Sequence, residues 1–163
     1  MTRHRETESS VENNSHLGDA HRKTGAEMKV RDVMAVEVLT AKSTWPIRKA
    51  WDILRDGSMH CLPVSEGDRL VGIITDRDLR VLASASSVKL AEEEYHQFLM
   101  DTMSVEQAMT PEPRTVTPDT DLKDAASLIL EMRVGGLPVV EGEKLVGIIT
   151  ETDLVRVLKE RFL

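Results

Sequence analysis

The stretch Leu70-Val71-Gly72-Ile73-Ile74-Thr75-Asp76-Arg77-Asp78-Leu79 returns further along the chain as Leu145-Val146-Gly147-Ile148-Ile149-Thr150-Glu151-Thr152-Asp153-Leu154. Each copy passes from a β-branched apolar run directly into Thr-x-x-Asp, the sequence of a buried strand that hands over to a helix with a capped first turn. A strand ending at a helix N-terminus leaves unpaired backbone N–H groups outward, where a phosphate or another anion can be held.

The repetition extends well beyond these ten residues. From Val30 the chain lies over itself at a constant shift of 75 residues without a gap, Val30 on Val105, Met34 on Met109, Thr40 on Thr115 and Ala50 on Ala125. Leu62-Pro63-Val64 then falls on Leu137-Pro138-Val139, and Glu66-Gly67 on Glu141-Gly142. A gapless internal repeat marks a duplicated supersecondary unit whose copies pack together.

Each copy parses alike. A short helical turn (Val30–Met34; Val105–Met109, the latter with Ser104 and Gln107 spaced as a capping box) leads to a brief strand near Val38–Ala41 or Arg114–Thr117. The helix that follows has an apolar face of Ile47, Ala50, Trp51 and Leu54 or Leu122, Ala125, Ala126 and Ile129, with Thr44 and Asp119 as candidate N-caps. A hairpin around Glu-Gly and the capped helix complete a β-α-β-β-α unit. One such unit has too small a core to stand alone, so the expected fold is α+β: two pseudo-twofold-related repeats packed sheet to sheet. The chain accordingly divides into a disordered polar tail (1–27), a first repeat (28–83), a linker with a connecting helix over Leu90–Leu99 (84–103) and a second repeat (104–163).

Composition limits the function. Hydrophobic residues make up 40% of the chain but aromatics only 3%, too few for a surface that stacks bases. A net charge of −7 gives no general attraction to nucleic acid or anionic lipid, and no apolar run is long enough to span a bilayer. The lone Cys61 reads as a core residue in a reducing, cytoplasmic setting. His4, His16 and His21 are spaced too irregularly for a metal clip, and no Ser/His/Asp or Cys/His constellation points to catalysis.

Taken alone, each Thr-x-x-Asp is a helix cap contributing about 1 kcal/mol. A duplication copies caps and binding sites alike. The complete pattern, however, closely resembles a cystathionine β-synthase (CBS) domain pair, or Bateman module, of the stand-alone bacterial type. The resemblance rests on the Val-Met and Ala-Met entries, the Thr40 and Thr115 strands, Leu-Pro-Val followed by Glu-Gly, and Leu-Val-Gly-Ile-Ile-Thr-x-x-Asp-Leu, in the same order twice over about Lys29–Lys159.

The resemblance implies a regulatory module that senses an adenosine compound (AMP, ADP or ATP, with NAD or S-adenosylmethionine as further possibilities) and signals to a downstream protein or a dimer mate. Asp78 and Asp153 become ribose ligands, with Thr75 and Thr150 touching ribose or phosphate. A fixed carboxylate suits this role because it can accept from two vicinal hydroxyls. Thr40-Ala41 and Thr115-Val116 fall where relatives read adenine. His60 and Arg77 are phosphate candidates, followed by Arg80, Arg133 and Arg156. Relatives often carry a His-Arg pair at positions 60 and 61; here Cys61 replaces the Arg, and the second copy has Gly135-Gly136. The resemblance further implies a homodimer, and neither a catalytic cofactor nor a metal. The alternative is a structural dimerisation module with empty clefts.

Overall fold

The structure, a computed structural model, describes residues 28–57, 59–84 and 92–162. The tail read over 1–27, with its three histidines, and the linker stretch 85–91 lie outside the described residues.

A 3-10 turn at Val30–Asp32 opens the first repeat, which continues through α1 (Ile47–Asp56), β1 (Cys61–Glu66), β2 (Arg69–Thr75) and α2 (Asp76–Ser84). The connecting helix α3 (Glu92–Thr102) leads to α4 (Val105–Ala108), β3 (Thr110–Pro111), α5 (Leu122–Met132), β4 (Gly136–Glu141), β5 (Lys144–Thr150) and α6 (Glu151–Phe162). The 3.6-residue spacing reads correctly: Ile47, Ala50 and Leu54 on α1 and Leu122, Ala125 and Ile129 on α5 are buried, with Trp51 and Ala126 half-buried beside them. Gly67 and Gly142 turn the two hairpins at φ 62° and 64°, a left-handed conformation that glycine adopts without a Cβ clash.

The hairpins β1–β2 and β4–β5 lie in the order β1-β2-β5-β4, joined at their turn ends by one ladder step between Arg69 and Lys144. The Leu70 N–H donates to Glu143 O at 3.1 Å and the Leu145 N–H to Asp68 O at 2.9 Å. At the other end the first residues of the outer strands approach each other, since a Cβ built on Gly136 would lie 3.3 Å from the Cys61 sulfur. The two hairpins thus meet at both ends across the repeat boundary.

Each repeat exchanges its entry segment with the other. Ala35 bridges Ile148 of β5, and Thr110 pairs with Ile73 of β2, the same contact displaced by one repeat. Met28 and Val30 are buried among Val116, Leu122, Ala125 and Leu137 of the second repeat, while Met100 and Val105 are buried among Ala41, Ile47, Leu62 and Leu79 of the first. The recurring Met and Gly are two halves of one joint. A Cβ on Gly72 would lie 2.4 Å from the Met109 sulfur, and one on Gly147 2.8 Å from the Met34 sulfur. Each entry Met therefore fills the space left by a glycine in the other repeat. Met34 and Met109 are half-buried at these joints, and together with the buried Met28, Val30 and Val105 they bind the halves into one folding unit.

The same exchange corrects the capping read from the sequence. Thr44 and Asp119 do not cap α1 and α5; the helices start later, after Pro46 and Asp121, without a side-chain cap bond. Their first N–H groups are satisfied by the exchanged segments: Ile47 donates to Met103 O at 3.0 Å and Leu122 to Met28 O at 2.8 Å.

The brief strands expected at Val38–Ala41 and Arg114–Thr117 shrink to single parallel bridges, Ala41 with Val64 and Val116 with Val139. Continuing either ladder would require an N–H from Pro63 or Pro138, which proline lacks. The connecting helix is present over its described residues, Glu92–Thr102, and runs past Leu99. Met100 is its buried residue, Tyr95 and Phe98 stay exposed, and Arg48 of α1 clamps it through Asp101 and through Gln97 Oε1 at 2.6 Å.

Candidate functional site

At the end of β2 the Thr75 N–H and hydroxyl both donate to Asp78 Oδ2, at 2.8 and 2.7 Å, and the Asp78 N–H donates back to Thr75 Oγ1 at 3.2 Å. The cap is therefore real and uses one carboxylate oxygen. Among the described residues Asp78 Oδ1 has no hydrogen-bond partner. The second box repeats the first bonds, with Thr150 N–H and hydroxyl to Asp153 Oδ2 at 2.9 and 2.6 Å, but there Arg156 donates to Asp153 Oδ1 at 3.1 Å. Position 156 corresponds to Val81 in the first repeat, which cannot make this bond and stands 62% exposed. Asp153 is 7% exposed, whereas Asp78 is half-buried.

Asp78 lines a cleft of about 1050 Å³ formed by both repeats. The first repeat contributes His60, Cys61, Ile73, Thr75 and the α2 residues Asp76 to Asp78, Arg80 and Val81. Thr110, Pro113, Arg114, the end of α5 and the start of β4 close it from the second. Its apolar lining includes Leu130, Val134, Leu137 and Pro138, suited to a flat ring, and its polar lining includes Asp78 and the arginines of both repeats.

Four arginines against three carboxylates (Asp76, Asp78 and Glu151) leave this cleft net positive on a chain of net charge −7. Arg80 is committed to Asp76, and His60 Nδ1 lies 3.6 Å from the same carboxylate. Arg77, Arg114 and Arg133 have no salt-bridge partner among the described residues and are exposed.

Of the two glycines that replace the pair in the second repeat, Gly136 has a steric cause and Gly135 has room for a side chain. A Cβ on Gly136 would lie 2.9 Å from Ile149 O as well as 3.3 Å from the Cys61 sulfur, and one on Gly135 would lie 3.4 Å from the His60 Cβ. Positions 60–61 and 135–136 therefore face each other across the repeat boundary, and the first pair fills the space that the second vacates. Burial, assisted by the charge of Asp76, pushes the Cys61 thiol up to about 11, so at neutral pH it is a protonated packing group.

Of the residues picked out in the sequence, the structure gathers His60, Thr75, Arg77 and Asp78 in one cleft. Thr150 and Asp153 form their own box, and neither lines this cleft. Ala41 and Val116 are buried with N–H and C=O both bonded to the hairpins: Ala41 to Pro63 O and Ser65 N–H at 2.8 and 2.9 Å, Val116 to Pro138 O and Val140 N–H at 3.1 and 2.9 Å. Their backbone groups are thus engaged in the fold. Thr40 and Thr115 are half-buried and do not line the cleft, which is reached instead by Pro113 and Arg114, just ahead of Thr115. Arg114 was missed because no pattern in one sequence joins it to Asp78; only the exchange between repeats brings them together. Among the described residues no group of three His, Cys, Asp or Glu side chains is placed to hold a metal ion, and no helix is long and apolar enough to cross a membrane.

Comparison with known proteins agrees with this architecture. The CBS domain matches twice, over residues 30–84 and 105–160. A CBS domain-containing protein of Dictyostelium discoideum is 34% identical over 131 residues, spanning 79% of this chain and 90% of that protein. Among solved structures, CBSX2 of Arabidopsis thaliana, crystallised in complex with AMP, is 31% identical with a TM-score of 0.69 over 83% of this chain and 99% of that one. The CBS domain pair of protein MJ0100, in complex with methylthioadenosine and S-adenosyl-L-methionine, is 26% identical with a TM-score of 0.64 over 82% and 98% of the two chains. The two matched repeats, their exchanged entry segments and these relatives make the chain a member of the CBS domain family, built as a tandem pair.

Proposed function

We propose that the chain is a non-catalytic regulatory module that binds an adenosine nucleotide in the cleft at Asp78 and passes its occupancy to a partner protein or a second copy of itself. The observation that carries this reading is the uncommitted Asp78 Oδ1 beside a cleft walled by both repeats. Asp78 accepts from the ribose hydroxyls, Thr75 fixes the carboxylate, and the apolar wall takes the adenine. His60 and Arg77, which line the same cleft, would take the phosphate. Each charge-assisted hydrogen bond to the ribose contributes about 1.5–3 kcal/mol. Since the cleft belongs to both repeats, a ligand in it bears on their relative placement, which is how binding becomes a signal. The AMP complex of CBSX2 and the methylthioadenosine and S-adenosyl-L-methionine complexes of MJ0100 support the adenosine class.

Thr150 and Asp153 form the corresponding second site, closed by Arg156 in this state. The capped helices α2 and α6 expose Val81, Val155 and Leu158, an apolar surface that supports a homodimer. The single cysteine, Cys61, has no second cysteine in the chain to pair with, which supports a reducing, cytoplasmic setting.

A thermal-shift panel of AMP, ADP, ATP, NAD and S-adenosylmethionine tests the reading. A ligand at one hundred times its dissociation constant stabilises the fold by about 2.7 kcal/mol. At least one should do so, with the shift reduced in Asp78→Ala. No shift across the panel would overturn the sensor in favour of the structural dimerisation module, and a shift that survives Asp78→Ala would reduce that residue to a cap.

A further inference from the structure

We infer that Arg133 is the principal anion-binding residue of the Asp78 cleft and that, with Arg114, it selects a phosphorylated ligand over a neutral or cationic adenosine compound. The inference deepens the adenosine reading and rests on it for the identity of the base. Two independent observations carry it.

The first is the backbone. Arg133 ends α5 at φ 53° and ψ 46°, a left-handed conformation. Helices that end this way favour glycine, because any other residue sets its Cβ against the backbone. The strained residue is positioned by the helix cap itself: its N–H faces Ile129 O and Leu130 O, while the Val134 N–H reaches Ile129 O at 3.2 Å. An arginine kept where glycine would be more stable implies a use for the side chain, and strain of this kind concentrates at binding sites.

The second is the charge at the cleft. Arg133 lines it together with Arg114 and Arg77, and none of the three has a salt-bridge partner among the described residues. Gly135 and Gly136 supply no side chain to the second repeat's side of the cleft, so Arg114 and Arg133 are that side's cations there. Asp78 on the first repeat and these arginines on the second would then hold opposite ends of one ligand. A phosphate or pyrophosphate group matches the planar fork of guanidinium, whereas the sulfonium of S-adenosylmethionine meets like charge.

Arg133→Gly separates this role from a structural one, because glycine relieves the backbone while removing the cation. Binding of AMP, ADP, adenosine and S-adenosylmethionine would be measured by calorimetry on the full chain and on Arg133→Gly, Arg133→Lys and Arg114→Gln. The glycine variant should melt higher than the parent without ligand yet bind AMP or ADP about tenfold or more weakly, with adenosine unaffected and Arg133→Lys intermediate. The loss should shrink as salt is raised. Unchanged nucleotide affinity in Arg133→Gly, or S-adenosylmethionine binding more tightly than AMP and ADP to the parent, would overturn the inference. Inorganic pyrophosphate separates it from the parent reading: if no adenosine compound binds but pyrophosphate stabilises the parent and not Arg133→Gly, the anion site stands and the adenosine assignment falls. If pyrophosphate also fails to bind, both fall.

Discussion

The two Thr-x-x-Asp boxes share their sequence, their capping bonds and their place between a strand and a helix, and they differ in the second carboxylate oxygen. On Asp78 that oxygen has no partner among the described residues and borders a large cleft. On Asp153 it accepts from Arg156 at 3.1 Å, and the carboxylate is 7% exposed. A duplicated motif thus splits into a box that is cap and prospective ligand group, and a box that is already satisfied. What separates them is position 81 against 156, a Val and an Arg three residues beyond the motif Asp. A motif copied twice does not give two equal sites, because the residues that complete each site lie outside the motif.

The largest expected effect contrasts the Met–Gly joints. A Cβ on Gly147 would meet Ala35 O, a backbone atom, at 2.9 Å as well as the Met34 sulfur, whereas on Gly72 the three nearest atoms all belong to the flexible Met109 side chain. Gly147→Ala should therefore cost about 2–3 kcal/mol and Gly72→Ala about 1 kcal/mol in urea denaturation. Equal losses would mean that the entry segments yield as easily as the side chains do.

The repeat boundary supplies the next contrast. Cys61 occupies space that Gly136 leaves free, and its thiol is pushed up to about 11, chiefly by burial. The protonated form is thereby favoured in the folded state, so the associated stability is fully present below the unfolded thiol value near 9.0 and is lost as pH rises towards 11. The parent should lose about 2 kcal/mol more than Cys61→Ala over that interval, read as the difference between their melting curves. Identical pH dependence would show that the thiol is open to water.

The boxes themselves come third. Asp153→Ala removes both capping bonds from a buried position and leaves Arg156 without its partner, and should cost about 1–2 kcal/mol. Asp78→Ala should cost about 1 kcal/mol and weaken the nucleotide response more. A reversal, with Asp78 the greater loss in stability and Asp153 the greater loss in binding, would invert the assignment of the two boxes.

Much of this was legible in the chain. The strand-to-helix handover, the helix faces at Ile47, Ala50 and Leu54, and both hairpin glycines follow from local periodicity and backbone preference, which one sequence displays directly. Thr44 and Asp119 do not cap: a cap is inferred from neighbours in sequence, whereas the N–H groups of Ile47 and Leu122 are met by Met103 and Met28, each just ahead of the other repeat's entry turn. The site divides in the same way. Thr75 and Asp78 carry a local signature, but Arg114 joins them only through packing between repeats, and nothing in Gly135-Gly136 announces that His60 and Cys61 stand opposite.

Arg156 gives the smallest change in stability and the most direct test of the difference between the boxes. Its guanidinium is largely exposed, at 58%, so the pair with Asp153 contributes under about 1 kcal/mol, and Arg156→Ala should melt close to the parent. The consequence for binding is larger. With Asp153 Oδ1 released, the second box regains the acceptor that Asp78 already has, and calorimetry should move from one nucleotide per chain towards two. Arg156→Val reproduces the residue found at position 81 and should behave likewise, while Val81→Arg should close the first box by the same contact and lower the affinity of the Asp78 cleft. If neither substitution alters stoichiometry or affinity, the difference between the repeats does not lie in this ion pair, and the cations of the cleft alone would set which repeat binds.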